Sequence, residues 1–214
     1  KVHKDSNISV FEGISKKKKL QMSLHHGSAL NILRDHISSE FVLIIDPDFF
    51  ILTKNWLSIV IEYMKKKNLT FFGTPWHPAG PKGIKWFDFP NCHFLLIDLK
   101  KININEIDFR PAVGEYLDDK LIKSRDTGYR IRYKYKDDKF LKNELMKPDF
   151  ISENFKTDLE NLGISKDSIS KSEFYKSPDL IKGFHLRRTQ SFVRLLDITT
   201  SKKLFSLFVK YSVN

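Results

Sequence analysis

The clearest pattern in the chain is the unbroken apolar run Phe41-Val42-Leu43-Ile44-Ile45, which ends in Asp46-Pro47-Asp48 and resumes with Phe49-Phe50. A run of this length between polar segments reads as a strand buried on both faces. Before it, Ala29, Leu30, Leu33 and Ile37 fall at near-helical spacing. That predicts a helix from Ser23 to about Ile37, with Ser23 as a cap. After it, Trp56, Ile59, Val60 and Tyr63 share one face of a helix over 54–67. Residues 69–73 and 92–99 read as further strands, and a short one is expected at 8–11. The acidic stretch 115–126 predicts a helix stopped by Gly128. The alternation Tyr-Arg-Ile-Arg-Tyr-Lys-Tyr over 129–135 predicts a half-exposed strand.

Later segments are less regular. Residues 136–181 are charged with scattered apolar positions and read as loop-rich with short helices. Phe192, Leu195, Leu196, Leu204, Leu207 and Phe208 recur at helical spacing, so one or two closing helices are expected over 189–211. Strands mixed with helices give an α/β class. The division expected is a core over 1–135 and a loop-rich, helical extension over 136–214 packed on it.

Composition narrows the picture. The chain has 214 residues, 41% of them hydrophobic, with 18 Phe. No apolar run approaches the roughly 20 residues of a membrane span. Cys92 is the one cysteine, which leaves no internal disulfide and no cysteine-based zinc site. That fits a reducing, cytoplasmic setting. The net charge is +11, from 37 Lys and Arg against 26 Asp and Glu. Such a balance favours polyanionic neighbours: nucleic acid, an acidic membrane surface or phosphorylated ligands.

Candidate chemistry concentrates in a few places. Asp46 and Asp48 stand where a strand opens into a cleft, and two like charges there suit a hard divalent cation, Mg²⁺ or Mn²⁺. Asp118 and Asp119 form a second acidic pair, one member of which would take a proton from an acceptor hydroxyl. His185 would complete a metal shell, and Arg187 or Arg188 would grip phosphate oxygens. His25, His26, Gly27 and Asn31 lie near a helix start, where free N–H groups attract anions. The loop over 74–90 carries Trp76 and Trp86 among prolines and glycines, and such aromatics stack on sugar rings.

The segment His26-Gly27-Ser28-Ala29-Leu30-Asn31, with Ser39 through Asp48, resembles the core of the GT-A glycosyltransferases, close to family 2. Leu117-Asp118-Asp119, running on through Arg125-Asp126-Thr127-Gly128-Tyr129, resembles that family's acidic helix. The resemblance spans about residues 8–135. It implies a Rossmann-related, GT-A-like mixed sheet flanked by helices. It also implies a Mn²⁺- or Mg²⁺-dependent transfer of a sugar from a nucleotide-diphosphate donor to a hydroxyl acceptor, with inversion. Asp46, with Gly27, Asn31 and Arg187, would contact the donor. Asp48, Asp46 and His185 would hold the metal, and Asp119, beside Asp118, would be the base. Trp76 and Trp86 would meet the acceptor, a glycan, a lipid or another hydroxyl compound. The family begins with two strands that hold the nucleotide base, and at most one strand is expected here before the Gly27 helix. The basic surface suggests peripheral membrane association.

Two rival readings remain. Phosphatases of the haloacid dehalogenase type also end a buried strand in Asp-x-Asp, with the first Asp as nucleophile. They usually place a small or β-branched residue two positions beyond it, where this chain has Phe50. A basic module binding nucleic acid or an acidic surface would use the +11 charge. No nucleic-acid motif accompanies that charge, so no specific nucleic-acid partner is expected.

Overall fold

The computed structural model describes residues 22–78, 86–123, 125–149, 152–177, 181–185, 206–207 and 210. Within them the chain is a mixed α/β protein carrying two four-stranded sheets and a two-stranded hairpin. Helix α1 (Met22–Arg34) leads into strand β1 (Phe41–Ile45). The chain turns at Asp46 and enters β2 (Phe49–Ile51), then α2 (Trp56–Lys67) and β3 (Phe71–Gly73). Strand β4 (Phe94–Asp98) follows, apolar but for its last residue and buried throughout. It takes β1 on one edge and β3 on the other, both antiparallel.

A turn of 3-10 helix (Ile104–Glu106) precedes the hairpin of β5 (Glu115–Leu117) and β6 (Lys120–Ile122), and α3 (Tyr129–Tyr135) comes next. Strand β7 (Asn143–Leu145) joins the first sheet parallel to β3, giving the order β1-β4-β3-β7. The second sheet has the order β2-β10-β9-β8, from β8 (Lys147–Asp149), β9 (Glu173–Lys176) and β10 (Lys182–His185). Helices α4 (Glu153–Asn161) and α5 (Lys166–Ser170) begin at Ser152 and Ser165, whose side chains accept the N–H groups of Phe155 and Ser168. That satisfies donors a helix start otherwise leaves open.

Three apolar clusters hold these elements. One lies around Phe71, Phe89, Leu95 and Tyr129, a second around Phe49, Met64, Phe94 and Tyr175, and a third around Leu52, Leu159 and Leu207. Strand β1 explains its own composition. Val42 and Ile44 face the first cluster, while Phe41 and Leu43 face the second. Both faces are therefore covered, as the run suggests, yet β1 ends the described strand order instead of occupying its middle. Ile45, the last residue, is 39% exposed.

Two expected elements are corrected. Residues 115–126 do not form a helix. Asp118 and Asp119 are the two turn residues of the β5–β6 hairpin, with φ of 43° and 62°. A two-residue hairpin loop needs left-handed backbone at both positions, which Asp tolerates through local hydrogen bonding. Residues 129–135 are a helix and not a strand. Gly128, at φ 84°, starts that helix instead of ending one. Its cations each find a carboxylate nearby: Arg130 pairs with Glu115, Arg132 with Asp88 and Lys134 with Glu106. The strand expected at 8–11, Arg187, and the closing helices save for 206, 207 and 210 lie outside the described residues. Among those described, no helix is long and apolar enough to cross a membrane.

Helix α1 is pinned to the segment before the hairpin. A Cβ on Gly27 would come within 2.6 Å of the Phe109 carbonyl oxygen, so only glycine permits this approach. Asn31 donates to Asp108 Oδ1 at 2.9 Å and accepts the Phe109 N–H at 2.9 Å. Burial would raise the Asp108 carboxyl, but hydrogen bonds from Arg110 and Asn31 outweigh it and hold the group well below its ordinary range. A depressed carboxylate stabilises the fold above its unfolded pKa, near 4, and loses that contribution as the pH falls. Asp108→Asn should therefore lower stability at pH 7 and flatten its fall between about pH 5 and pH 2. Urea unfolding across that range checks this; identical slopes would rule out the Asp108 contribution.

Candidate active site

Strands β1 and β3 both run antiparallel to β4, so they end together at the edge where β4 begins. Asp46 follows β1, Thr74 and Trp76 follow β3, and Asn91 to His93 lead into β4. Backbone hydrogen bonds lock these ends together. The Asp46 N–H donates to the His93 carbonyl at 2.9 Å, Thr74 N–H to Phe94 at 3.0 Å, and Asn91 N–H to Thr74 at 2.9 Å. Asn91 Oδ1 accepts the His93 N–H at 2.7 Å. α/β sheets commonly open to ligands beyond strand carboxyl ends.

A cleft of about 360 Å³ lies at this edge, walled by Ser23, His26, Asp46, Trp76, His93 and Asp126, among others. The start of α1 and the start of α3 close it. Thr127 Oγ1 donates to the Ser23 carbonyl at 2.8 Å, tying the two helix starts together. Asp46 is bracketed by two imidazoles: His26 Nε2 lies 4.0 Å from Oδ1, and His93 Nε2 lies 3.8 Å from Oδ2. Trp76 meets the His93 ring edge to face, with centroids 4.2 Å apart. Asp126 Oδ1 accepts the Thr127 N–H at 2.8 Å. Its Oδ2 takes no hydrogen bond among the described residues.

Cys92 is buried in the wall that Asp46 and Asp126 share. Burial, then the charges of Asp46 and Asp126, push its thiol well above the ordinary range. Both carboxylates thus act on one buried sulfur.

The remaining candidates fall elsewhere. Asp118 walls a separate cavity of about 500 Å³ with Asp108, Tyr116, Arg130, Tyr133 and Lys134. Asp119 sits exposed beside it on the hairpin turn. Neither belongs to the walls of the Asp46 cleft. Gly27 and Asn31 serve the α1 contact described above and do not line the cleft either. Trp76 and Trp86 are not exposed aromatics. They are 5% and 4% exposed and meet edge to face at 6.1 Å, inside the first cluster. Trp76 still walls the cleft, whereas Trp86 borders a neighbouring cavity with Phe87, Lys120 and Arg125. His185 lies on β10 directly opposite Phe49, one residue from Asp48 along the chain.

Sequence reasoning missed Asp126 and His93. The signal for Asp126 was present: Asp-Thr-Gly is turn chemistry ahead of a helix, not the end of one. Nothing local marks His93; the β1–β4 ladder alone brings it beside Asp46.

Among the described residues, no three His, Cys, Asp or Glu side chains are grouped as metal ligands. A Mg²⁺-type ion does not require such a cage, since one or two carboxylates plus ligand phosphates suffice. Of the acidic pair, Asp46 walls the cleft, whereas Asp48, half-buried two residues on, does not. Comparison with known protein families, curated proteins and solved structures yields no match to this chain.

The buried thiol gives a direct test of the packing at the floor of the cleft. Native Cys92 should react with iodoacetamide at pH 8 at least about 100-fold more slowly than in the urea-unfolded chain. Mass spectrometry of timed quenches measures this. Fast native labelling would mean that the cleft floor is open to solvent.

Proposed function

We propose that the chain is a glycosyltransferase of GT-A type, moving a sugar from a nucleotide-diphosphate donor to a hydroxyl acceptor. The observation that carries this reading is the convergence of Asp46 and Asp126 on one cleft beyond the strand ends. Such a transfer needs a cationic environment for the departing diphosphate and a base for the acceptor proton.

Asp46 and Asp48 are the residues that would hold Mg²⁺ or Mn²⁺. The ion would supply Lewis-acid neutralisation of the diphosphate. His185, whose strand runs beside the Asp48 corner, is the further candidate on that side. Asp126 replaces Asp119 as the proposed base. It faces the same cleft as Asp46, and its Oδ2 is open to accept a proton. Its other oxygen is tied to the Thr127 N–H, which fixes the carboxylate's direction. His93 and His26 orient Asp46, and the buried Trp76 backs the apolar wall of the cleft behind them. The acceptor hydroxyl attacks the anomeric carbon as its proton passes to Asp126 and the nucleotide diphosphate leaves.

The test is a panel of nucleotide diphosphates and their sugars, with and without Mn²⁺. Binding is read by calorimetry and turnover by release of the nucleotide diphosphate. Asp126→Asn should lower turnover by about 10²–10⁴-fold while binding survives. Asp46→Ala should remove metal-dependent binding. Asp119→Asn should leave turnover within about threefold, as expected of a residue outside the cleft. Absence of any metal-dependent nucleotide binding would defeat the reading. A covalent aspartyl-phosphate trapped on Asp46 would favour a phosphatase instead.

A further inference from the structure

The end of the first sheet opposite the cleft has its own chemistry. Phe41, Asp98, Phe71 and Asn143 lie there by register. Helix α2 delivers Lys65, Lys66 and Lys67 to the same end, just before Leu69 and Thr70. Lys100 follows β4. Lys142 immediately precedes β7, and its carbonyl accepts the Thr70 N–H at 2.7 Å. With Lys139, six exposed lysines share this pole.

Four of them, Lys66, Lys67, Lys139 and Lys142, form no ion pair among the described residues. Glu40, Asp98 and Asp137 are each paired with lysine at this pole, while Asp138 keeps its charge. Glu40 is shared by Lys65 at 3.3 Å and Lys100 at 3.0 Å. Asp137 pairs with Lys136 at 2.7 Å, and Asp138 accepts the Phe140 N–H at 2.8 Å. That last bond holds a turn that lifts Phe140 out of the protein. Phe140 is 88% exposed, more than any other large hydrophobic residue among those described. An aromatic ring so displayed loses free energy in water unless something covers it.

We propose that this pole is a docking surface for an anionic phospholipid bilayer, with Phe140 entering the interfacial layer and the lysines lying over the headgroups. Charge complementarity selects the occupant. Basic residues beside an inserted aromatic bind acidic lipid cooperatively, each lysine near the surface strengthening association about fivefold. A duplex nucleic acid would use the lysines but, its base faces being already stacked, would give the protruding phenylalanine no apolar layer to enter. The proposal is independent of the transferase reading, because no residue of the cleft takes part.

Cosedimentation with unilamellar vesicles tests it. The chain should bind vesicles of equal parts phosphatidylcholine and phosphatidylglycerol at low salt, and should not bind pure phosphatidylcholine. Phe140→Ser should weaken binding about fivefold or more. The double variant Lys139→Glu/Lys142→Glu should weaken it by at least about 25-fold. Lys54→Glu/Lys123→Glu makes the same change in net charge away from this pole and should stay within about twofold of the parent. Thermal melts establish that each variant is folded. Equal loss in both double variants would reduce the effect to diffuse net charge and overturn the proposal. So would indifference to Phe140→Ser, or stronger binding to duplex DNA that Phe140→Ser leaves unchanged.

Discussion

The arrangement depends on how β1 ends. The last ladder contact is the hydrogen bond from the Asp46 N–H to the His93 carbonyl. The chain then reverses, with the Phe49 N–H donating to the Asp46 carbonyl at 3.0 Å. Pro47 suits the reversal because its φ is preset for a turn. This corner joins the two sheets. On one side β1 remains paired with β4; on the other, Phe49 begins β2 beside β10. Phe49 anchors the corner by stacking on Phe94 at 5.2 Å and covering Gly183, where a Cβ would collide with the ring. The Asp46 carboxylate is therefore positioned by two backbone bonds and a buried aromatic stack. Its placement follows from the fold and not from side-chain flexibility.

That constraint explains the concentration of charge at the cleft. Asp46 and Asp126 come from elements some 80 positions apart in sequence, yet both act on the Cys92 sulfur. Two carboxylates converging beside Trp76, Pro47 and a buried thiol give the cleft a concentration of negative charge. A concave wall of one charge sign favours cations or proton-bearing ligands. Asp126 has one backbone donor, the Thr127 N–H, and Asp46 lies within 4.0 Å of two imidazole nitrogens. Arg130 and Arg132, by contrast, are committed to Glu115 and Asp88 and leave the cleft's sign unchanged.

How much of this was legible depended on whether local pattern and tertiary context agreed. They agreed for α1, α2, β1, β3 and β4, where apolar periodicity and burial point the same way. They disagreed at 115–135, and both assignments there were reversed. An acidic run with Leu117, Leu121 and Ile122 satisfies helical spacing, but Asp118 and Asp119 also tolerate the left-handed turn that the hairpin needs. The Tyr and Arg alternation imitates a strand because its cations find carboxylates on three surrounding segments, a fact no window of sequence contains. The aromatic loop misled for a related reason. Pro and Gly around Trp76 and Trp86 suggested exposure, whereas both rings are buried and the Trp76 backbone N–H donates to the Trp86 carbonyl at 3.3 Å. Of the two acids that wall the cleft, Asp46 stood out in the sequence, whereas Asp126 was read as the end of a helix that does not form.

The orientation of the first sheet links its two ends. The five residues of β4 run from the cleft edge to Asp98, which at about 3.4 Å per residue sets the ends roughly 15 Å apart. Helix α3 makes a parallel link, beginning beside Thr127 at the cleft and ending at Lys136, next to the turn that displays Phe140. A bilayer held at the lysine pole would thus leave the cleft facing away from the lipid. An acceptor hydroxyl lying within the headgroup layer would not reach Asp126 in that pose. An acceptor that projects from the surface, or one free in solution, would. The same geometry that separates the acids from the lysines therefore restricts the substrates the proposed reaction can use.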